Sequence, residues 1–468
     1  MKHNGRKFKI LDPIKISFSV CMIAVLAVSF GAFILPKKQQ QVKAVSEKEL
    51  SIAQKAEELF EFESIPKVYL TTQEEIINKG EYKDLSIKIT DEKVADNNYE
   101  LNGEIKPRGN STYAIGKKYG PMPYKIKLDE KADLLGMGKH KKWCLLANFI
   151  DRSYVKQFIS FASARLMTDE KYFQPKAKYV EVYMNDEYKG LYLLTESIEE
   201  DDNSLDIEVD LDEYAEDVPF LLEVNEIDED TATEFPAPLT LAYPKSMSDM
   251  SEAQATNVVN FVSKIYSDIK KKVPLDDLDI NIDSFVDQYV YCYVFSDISC
   301  YYGPSQYVVR YKGEDKLTAG PLWDFDSNLI ANSTEYRFLG DLDYNPLFQG
   351  LISYDGFREK LTNRLKEYRN DYFKVIGNEI GKLRRNEELR NAVERSEKKY
   401  DTWNGTFEWF NTGGDYTNRK VLSLKSLDEH IQYIEDYLFG GKYFETGRLD
   451  WLEYSDDPWG FTTSTSDF

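Results

Sequence analysis

From Lys67 onward, apolar and polar residues alternate with a period of two. Val68–Thr71, Leu85–Thr90, Tyr99–Lys106 and Tyr124–Leu128 carry this pattern, which sets successive side chains on opposite faces of a strand. Lys142–Phe149 is richer in apolar residues and reads as a buried strand. Tyr179–Met184 and Lys189–Thr195 flank Asn185-Asp186-Glu187, a hairpin turn sequence. Pro219–Val224 and Leu239–Tyr243 predict further strands, and Tyr307–Tyr311 with Leu317–Trp323 predicts a second hairpin turning at Lys312–Asp315. Asn110-Ser111-Thr112 and Gly116–Pro123 predict a long loop between the third and fourth strands. Helical spacing appears over Ser46–Phe62, where Ser46 and Glu49 suit a capping box, and over Ser153–Met167. It dominates the second half at Ser251–Lys271, Ile282–Phe295, Tyr354–Lys382, Asn386–Tyr400 and Ser426–Leu438. The pattern predicts an α+β protein with a sheet-rich first part and a helix-rich second part.

One segment departs from both periods. Ile16–Leu35 is uncharged and apolar, and Lys2, Arg6, Lys7, Lys9 and Lys15 precede it. A run of about 20 apolar residues can span a bilayer, and the basic flank predicts a cytoplasmic N-terminus with an exported body. The organisation expected is therefore a basic N-terminus at 1–15, a transmembrane anchor or signal segment at 16–35, and a linker with an amphipathic helix at 36–66. A main domain at 67–440 and a tail at 441–468 follow. The length of the run favours an anchor over a cleaved signal peptide, whose apolar core is shorter. On this reading the protein is membrane-anchored or secreted, with its main domain outside the cytoplasmic membrane.

Charge narrows the partners. The chain of 468 residues has a net charge of −22, although its first residues are basic. A body this acidic excludes nucleic acid, whose phosphates need clustered Lys and Arg, and favours basic partners or cations. The length predicts two lobes with appendages. Cys21, Cys144, Cys292 and Cys300 form no CxxC pair, so they read as thiols and not as a zinc ribbon. His3, His140 and His430 lie in no supporting motif and read as surface or packing residues.

Four segments offer chemistry. In Gly320–Asp326, Asp324 and Asp326 lie two residues apart, and in an extended segment both would face one side and suit Mg²⁺ or Mn²⁺. A strand end with solvated aspartates explains the same residues. Asp297 closes an apolar helix against its dipole, and Gln306 lies between it and Asp324. That order suits phosphoryl transfer, which uses a carboxylate at the acceptor hydroxyl, oxygen ligands on metal and a cation on phosphates. Arg108 in Arg108-Gly109-Asn110 has the geometry of a phosphate binder, though a plain turn also accounts for the triplet. Lys125 and Lys127 share a strand face, where one would reach phosphate while the other is solvated. The acidic runs Glu199–Asp217 and Glu226–Asp230 read as solvated loops.

Taken in order, KPRGNSTY (Lys106–Tyr113), PYKIKL (Pro123–Leu128), KKWCLLANFIDRS (Lys141–Ser153), VEVYMNDEYKGLYLLTESI (Val180–Ile198), FLLEV (Phe220–Val224) and GPLWDFD (Gly320–Asp326) resemble the CotH (spore coat protein H) family of atypical, ATP-dependent protein kinases. The resemblance implies a divergent protein-kinase-like fold of two lobes, a sheet-rich N-lobe and a helical C-lobe, behind the N-terminal transmembrane helix. It implies ATP with Mg²⁺ or Mn²⁺, and Ser/Thr acceptors on a spore-coat or cell-surface protein. It assigns Asp297 and Asp324 to catalysis and, with Asp326, to metal. Arg108, Lys125, its rival Lys127, Glu196 at the adenine contact and Gln306 are assigned to the cofactor. The chain departs from ordinary kinases in having no HRD or DFG triplet. It has Gln306 where the family often has Asn, and no Glu in Ser153–Met167 to pair with the phosphate lysine. A kinase-like scaffold without turnover and a hydrolase using paired carboxylates are the alternatives.

Overall fold

Seven strands close on themselves. In the computed structural model these are β1 (Lys67–Thr71), β2 (Lys83–Thr90), β3 (Tyr99–Pro107), β4 (Tyr124–Asp133), β5 (Lys139–Ala147), β6 (Ala177–Met184) and β7 (Glu187–Glu196). The structure describes residues 37–468 except 77, 213–217, 225–234, 237–238, 296–304, 328–333, 336–345, 406–418, 456–458 and 460–468. The barrel order is β1-β2-β3-β4-β5-β7-β6, and β6 closes it by pairing with β1 in parallel, Val68 opposite Val182. A parallel pair needs a crossover, and the helix Lys156–Thr168 stands in that connection. Alternation does the rest. Leu70, Ile87, Ile105, Ile126, Trp143, Val180, Val182 and Leu194 point inward and form one buried cluster. The turn between β6 and β7 uses Asn185 and Asp186 at φ 48° and 65°, the conformation a two-residue hairpin turn requires.

A second sheet follows, in the order β11-β10-β8-β9, from β8 (Phe220–Val224), β9 (Leu239–Tyr243), β10 (Gln306–Arg310) and β11 (Thr318–Ala319). Ser284 on the helix Ile282–Phe295 ties β11 to that helix by accepting from the Ala319 N–H at 2.9 Å. From Ser284 on, every residue of that helix is buried, as its all-round apolar sequence requires. Helices Asp355–Tyr368, Lys374–Arg385, Glu387–Tyr400 and Leu427–Phe439 complete this half.

The expected fold class needs correction. The first strands do not build an open sheet forming one lobe of a kinase-like pair. They close into a barrel, and residues 55–468 form one compact unit that also holds the second sheet. The apolar run 16–35 lies outside the described residues, and no helix among the described residues is long and apolar enough to cross a membrane. The loop expected after β3 contains a helix, Ser111–Tyr119, which buries Ile115 and Gly116. In the C-terminal segment, Arg448–Tyr454 is helical and buries Arg448, Leu449 and Leu452.

Candidate active site

Lysines gather on the outside of the barrel where β3, β4 and β5 run side by side. Ile105, Ile126 and Trp143 point inward, so the register Lys106–Lys125–Cys144 across the three strands points outward. Lys125 forms an ion pair with Glu199, three residues past the end of β7. Lys142, two residues before Cys144, holds the other oxygen of the same carboxylate at 3.0 Å. Burial alone would push the Glu199 carboxyl up, but Lys125 and Lys142 outweigh it and hold it below the usual carboxylate range. Lys106 lies 4.5 Å from the centroid of the Tyr82 ring. Burial, with the charges of Lys125 and Lys245, holds the Lys106 ammonium below the ordinary lysine value, against Glu199. Lys127 points the same way two residues along, yet it pairs with Glu104 at 3.2 Å and is more exposed.

The second part of the site leans on this face through an aromatic contact. Trp323 packs with Cys144 and Phe161 in one buried cluster that Ile198 and Tyr307 flank. The Arg108 guanidinium carbon lies 5.3 Å from the Trp323 ring centroid, a stacking distance for cation and indole. Gly109, at φ 81°, turns the chain away from β3, and Lys79 fixes the turn by donating to the Gly109 carbonyl and to Asn110 Oδ1, both at 2.9 Å. Past β11 the chain is held from two sides. The Gly320 N–H donates to the Tyr307 carbonyl at 2.9 Å, and the Leu322 N–H donates to Gln174 Oε1 at 3.0 Å.

That support presents Asp324 at φ 70°, half-buried, with Ser305 Oγ donating to its Oδ2 at 3.3 Å. Burial pushes the Asp324 carboxyl above its ordinary value, and the nearby Arg108 charge and Ser305 hydroxyl offset this only in part. Tyr307 Oη donates to Glu223 Oε1 at 3.1 Å on the neighbouring strand.

The predicted residues fare unequally. Arg108, Lys125 and Asp324 border one region around Trp323 and the barrel face. Asp324 and Asp326 do not lie in one extended segment. The left-handed turn at Asp324 and the 3₁₀ turn Phe325–Ser327 break the extended geometry, and the charge of Asp326 instead acts on buried Lys156. Gln306 opens β10 opposite Val224 and is buried. Glu196 is buried at the end of β7, where its Oε2 accepts from the Lys176 N–H at 2.9 Å and its Oε1 lies 3.1 Å from His140 Nε2. Its side chain is therefore committed within the protein. Asp297 lies outside the described residues. Sequence reasoning missed Glu199 and Lys142. Lys142 sits in phase with Cys144 on β5, and Glu199 is the first charge after β7 ends at Glu196.

For a nucleotide and its cation, the donor set fits in part. Lys125 and Arg108 supply cationic groups of the kind phosphates need. Asp324 is a carboxylate whose charge the protein compensates incompletely, the donor a hard divalent cation seeks. Among the described residues no group of three or more His, Cys, Asp or Glu is placed to hold a metal ion, so Asp324 would be one protein ligand among substrate and water oxygens. A cavity of about 690 Å³ lies elsewhere, between Phe60, Phe62, Asp91, Tyr179 and Glu379, and includes none of these residues.

Comparison with curated proteins finds none that matches this chain. The CotH kinase protein family matches residues 105–439, most of the chain, with Arg108, Lys125, Glu199 and Asp324 inside the match, and the chain belongs to that family.

Proposed function

We propose that this kinase-family chain transfers the γ-phosphoryl group of ATP to Ser or Thr hydroxyls of an extracytoplasmic protein, a spore-coat or cell-surface component, with Mg²⁺ or Mn²⁺. The supporting observation is the Lys125–Glu199 pair beside Trp323, Arg108 and Asp324. Phosphoryl transfer depends on positioning and on cations at the developing charge, and a lysine fixed by a glutamate meets that need. The helix after β5 carries no Glu, and Glu199 takes its place from the far end of β7.

In the transfer, the acceptor oxygen bonds to the γ-phosphorus while the bond to the β–γ bridging oxygen breaks. ADP leaves, and the acceptor proton passes to a carboxylate, the role we assign to Asp297. Lys125 and Arg108 bind the phosphates, and Asp324 holds the divalent cation. The cation, when bound, neutralises phosphate charge. The acidic body suits a basic acceptor protein.

The test is Mn²⁺-dependent ATP binding by the full chain, followed by transfer of labelled γ-phosphate to itself or to a Ser-rich basic peptide. Binding and transfer are expected, with Asp297→Asn retaining binding and losing transfer. Absence of both in the unaltered chain refutes the kinase reading. Gln306, buried at the start of β10 where the family often has Asn, favours, as the second reading, a kinase-like scaffold that engages its partners without turnover.

A further inference from the structure

His140 has no part in the chemistry above, yet it is among the most enclosed charged groups of the barrel, 2% exposed. It lies on β5 two residues before Lys142, opposite Ala132 of β4. Its two ring nitrogens each meet a carboxylate. Nε2 is 3.1 Å from Glu196 Oε1, and Nδ1 is 3.3 Å from Asp201 Oδ1. The Nε2 contact is off the line of a good hydrogen bond and acts through charge. A neutral imidazole has one N–H and one lone pair, so it would face one of these carboxylates with a lone pair. Only the imidazolium suits both.

The two carboxylates bracket the residue that holds Lys125. Glu196 ends β7, Asp201 lies five residues on, and Glu199 stands between them. Three contacts thus staple 196–201 along β5: His140 with Glu196, His140 with Asp201, and Lys142 with Glu199. Other charges face the same place. Lys176, from the segment before β6, lies 3.8 Å from Glu196 Oε1. Lys131 on β4 lies 3.4 Å from Asp201 Oδ1 and also pairs with Asp202. The Trp143 ring meets the imidazole edge-on at 5.4 Å.

We propose that His140 is a positioning residue, whose imidazolium clamps Glu196–Asp201 onto β5 so that Glu199 keeps Lys125 directed at the nucleotide phosphates. The clamp itself is a property of the fold; its consequence for phosphates rests on the kinase reading. Burial opposes protonation of His140, but Glu196 and then Asp201 outweigh it and raise its pKa above the ordinary histidine value. The clamp therefore persists to higher pH than an ordinary histidine would allow and loosens as pH rises through the raised value.

Two readouts on the full chain test this. The first needs no nucleotide: labelling of Lys125 by an amine reagent, mapped by peptide mass spectrometry, with Lys127 in the same strand as the internal standard. In His140→Gln at pH 7, the Lys125/Lys127 labelling ratio is expected to rise about threefold, the scale of weakening a charge-assisted contact in partial solvent. In the unaltered chain the ratio should rise with pH, and in the variant it should be flat. The second readout is KM for ATP, expected to rise about tenfold in His140→Gln with kcat within about twofold, and to lose its pH dependence. Asp201→Asn, at a more accessible position, should shift both in the same direction by less, and serves if the His140 variant misfolds. An unchanged labelling ratio in a folded variant of either kind overturns the clamp. A changed ratio in a chain that never turns over ATP upholds the clamp and refutes the kinase reading alone.

Discussion

The barrel and the region beyond it treat buried charge in opposite ways. On the barrel, Glu199, His140 and Glu181 each have partners of opposite sign. Glu199 has Lys125 and Lys142, and His140 has Glu196 and Asp201. Glu181 receives both Nε and Nη2 of Arg395, at 2.8 and 2.9 Å. Beyond the barrel, burial dominates at Asp324, Glu379 and His430. It pushes the two carboxyls up and, aided by Arg152, Lys156 and Lys425, pushes the imidazole well down. The first arrangement fixes geometry, because a compensated pair cannot be moved without stranding one charge. The second leaves a group short of a partner, which suits a residue that gains one from a ligand.

The largest effect should come from breaking the uncompensated side. Asp324→Asn keeps the shape and removes the charge. Phosphoryl transfer is expected to fall by about a thousandfold, the loss that follows removal of a group acting on transition-state charge. Metal-dependent nucleotide binding should be lost with it. Stability in urea should hold or rise, because burial already disfavours the carboxylate form. A variant that unfolds more easily and still transfers phosphate would reverse the assignment. On the compensated side, Lys125→Met should lower kcat/KM for ATP by about a hundredfold, while Lys127→Met stays within about twofold, as expected for a half-exposed surface pair. Equal losses in the two variants would erase the distinction between the lysines.

Much of the barrel is legible in the sequence, because period-two alternation sets the inward face of each strand without reference to its neighbours. Closure is not. The parallel pairing of β1 with β6 joins residues more than a hundred positions apart, as in Val68 with Val182, and nothing in either strand encodes its partner. The helix Ser111–Tyr119 is hidden because Ser, Thr and Gly116 read as loop. Gly116 is needed there for packing, since a Cβ would stand 2.8 Å from the Pro121 carbonyl oxygen. The site divides the same way. Lys125, Arg108 and Asp324 lie in recognisable segments, and the structure sets all three around Trp323. The extended segment expected at Asp324 and Asp326 gives way at one backbone angle, a left-handed φ that an aspartate adopts more readily than most residues. Glu199 escapes notice because it opens an acidic run that looks solvated throughout, although the exit of β7 turns this one carboxylate onto two lysines.

The smallest effect is the sharpest test of the contrast, because the two buried histidines should give stability slopes of opposite sign. His140 has its pKa raised in the fold, so its contribution is fully present below the unfolded value of about 6.5 and is lost as pH rises through the folded value. His430, stacked on Trp403 at 6.1 Å with Arg152, Lys156 and Lys425 nearby, has its pKa lowered by burial and by those cations. Its contribution is present above about 6.5 and is lost as pH falls toward the folded value. Urea unfolding between pH 5 and 9 should therefore show a maximum near neutrality on which other groups add their own slopes. His140→Gln should flatten the alkaline side and leave the acid side, and His430→Gln should do the reverse. If both variants flatten the same side, the two regions do not differ in how they hold charge. The ion contacts of the barrel would then be no more than a packing arrangement, with no claim on the position of Lys125.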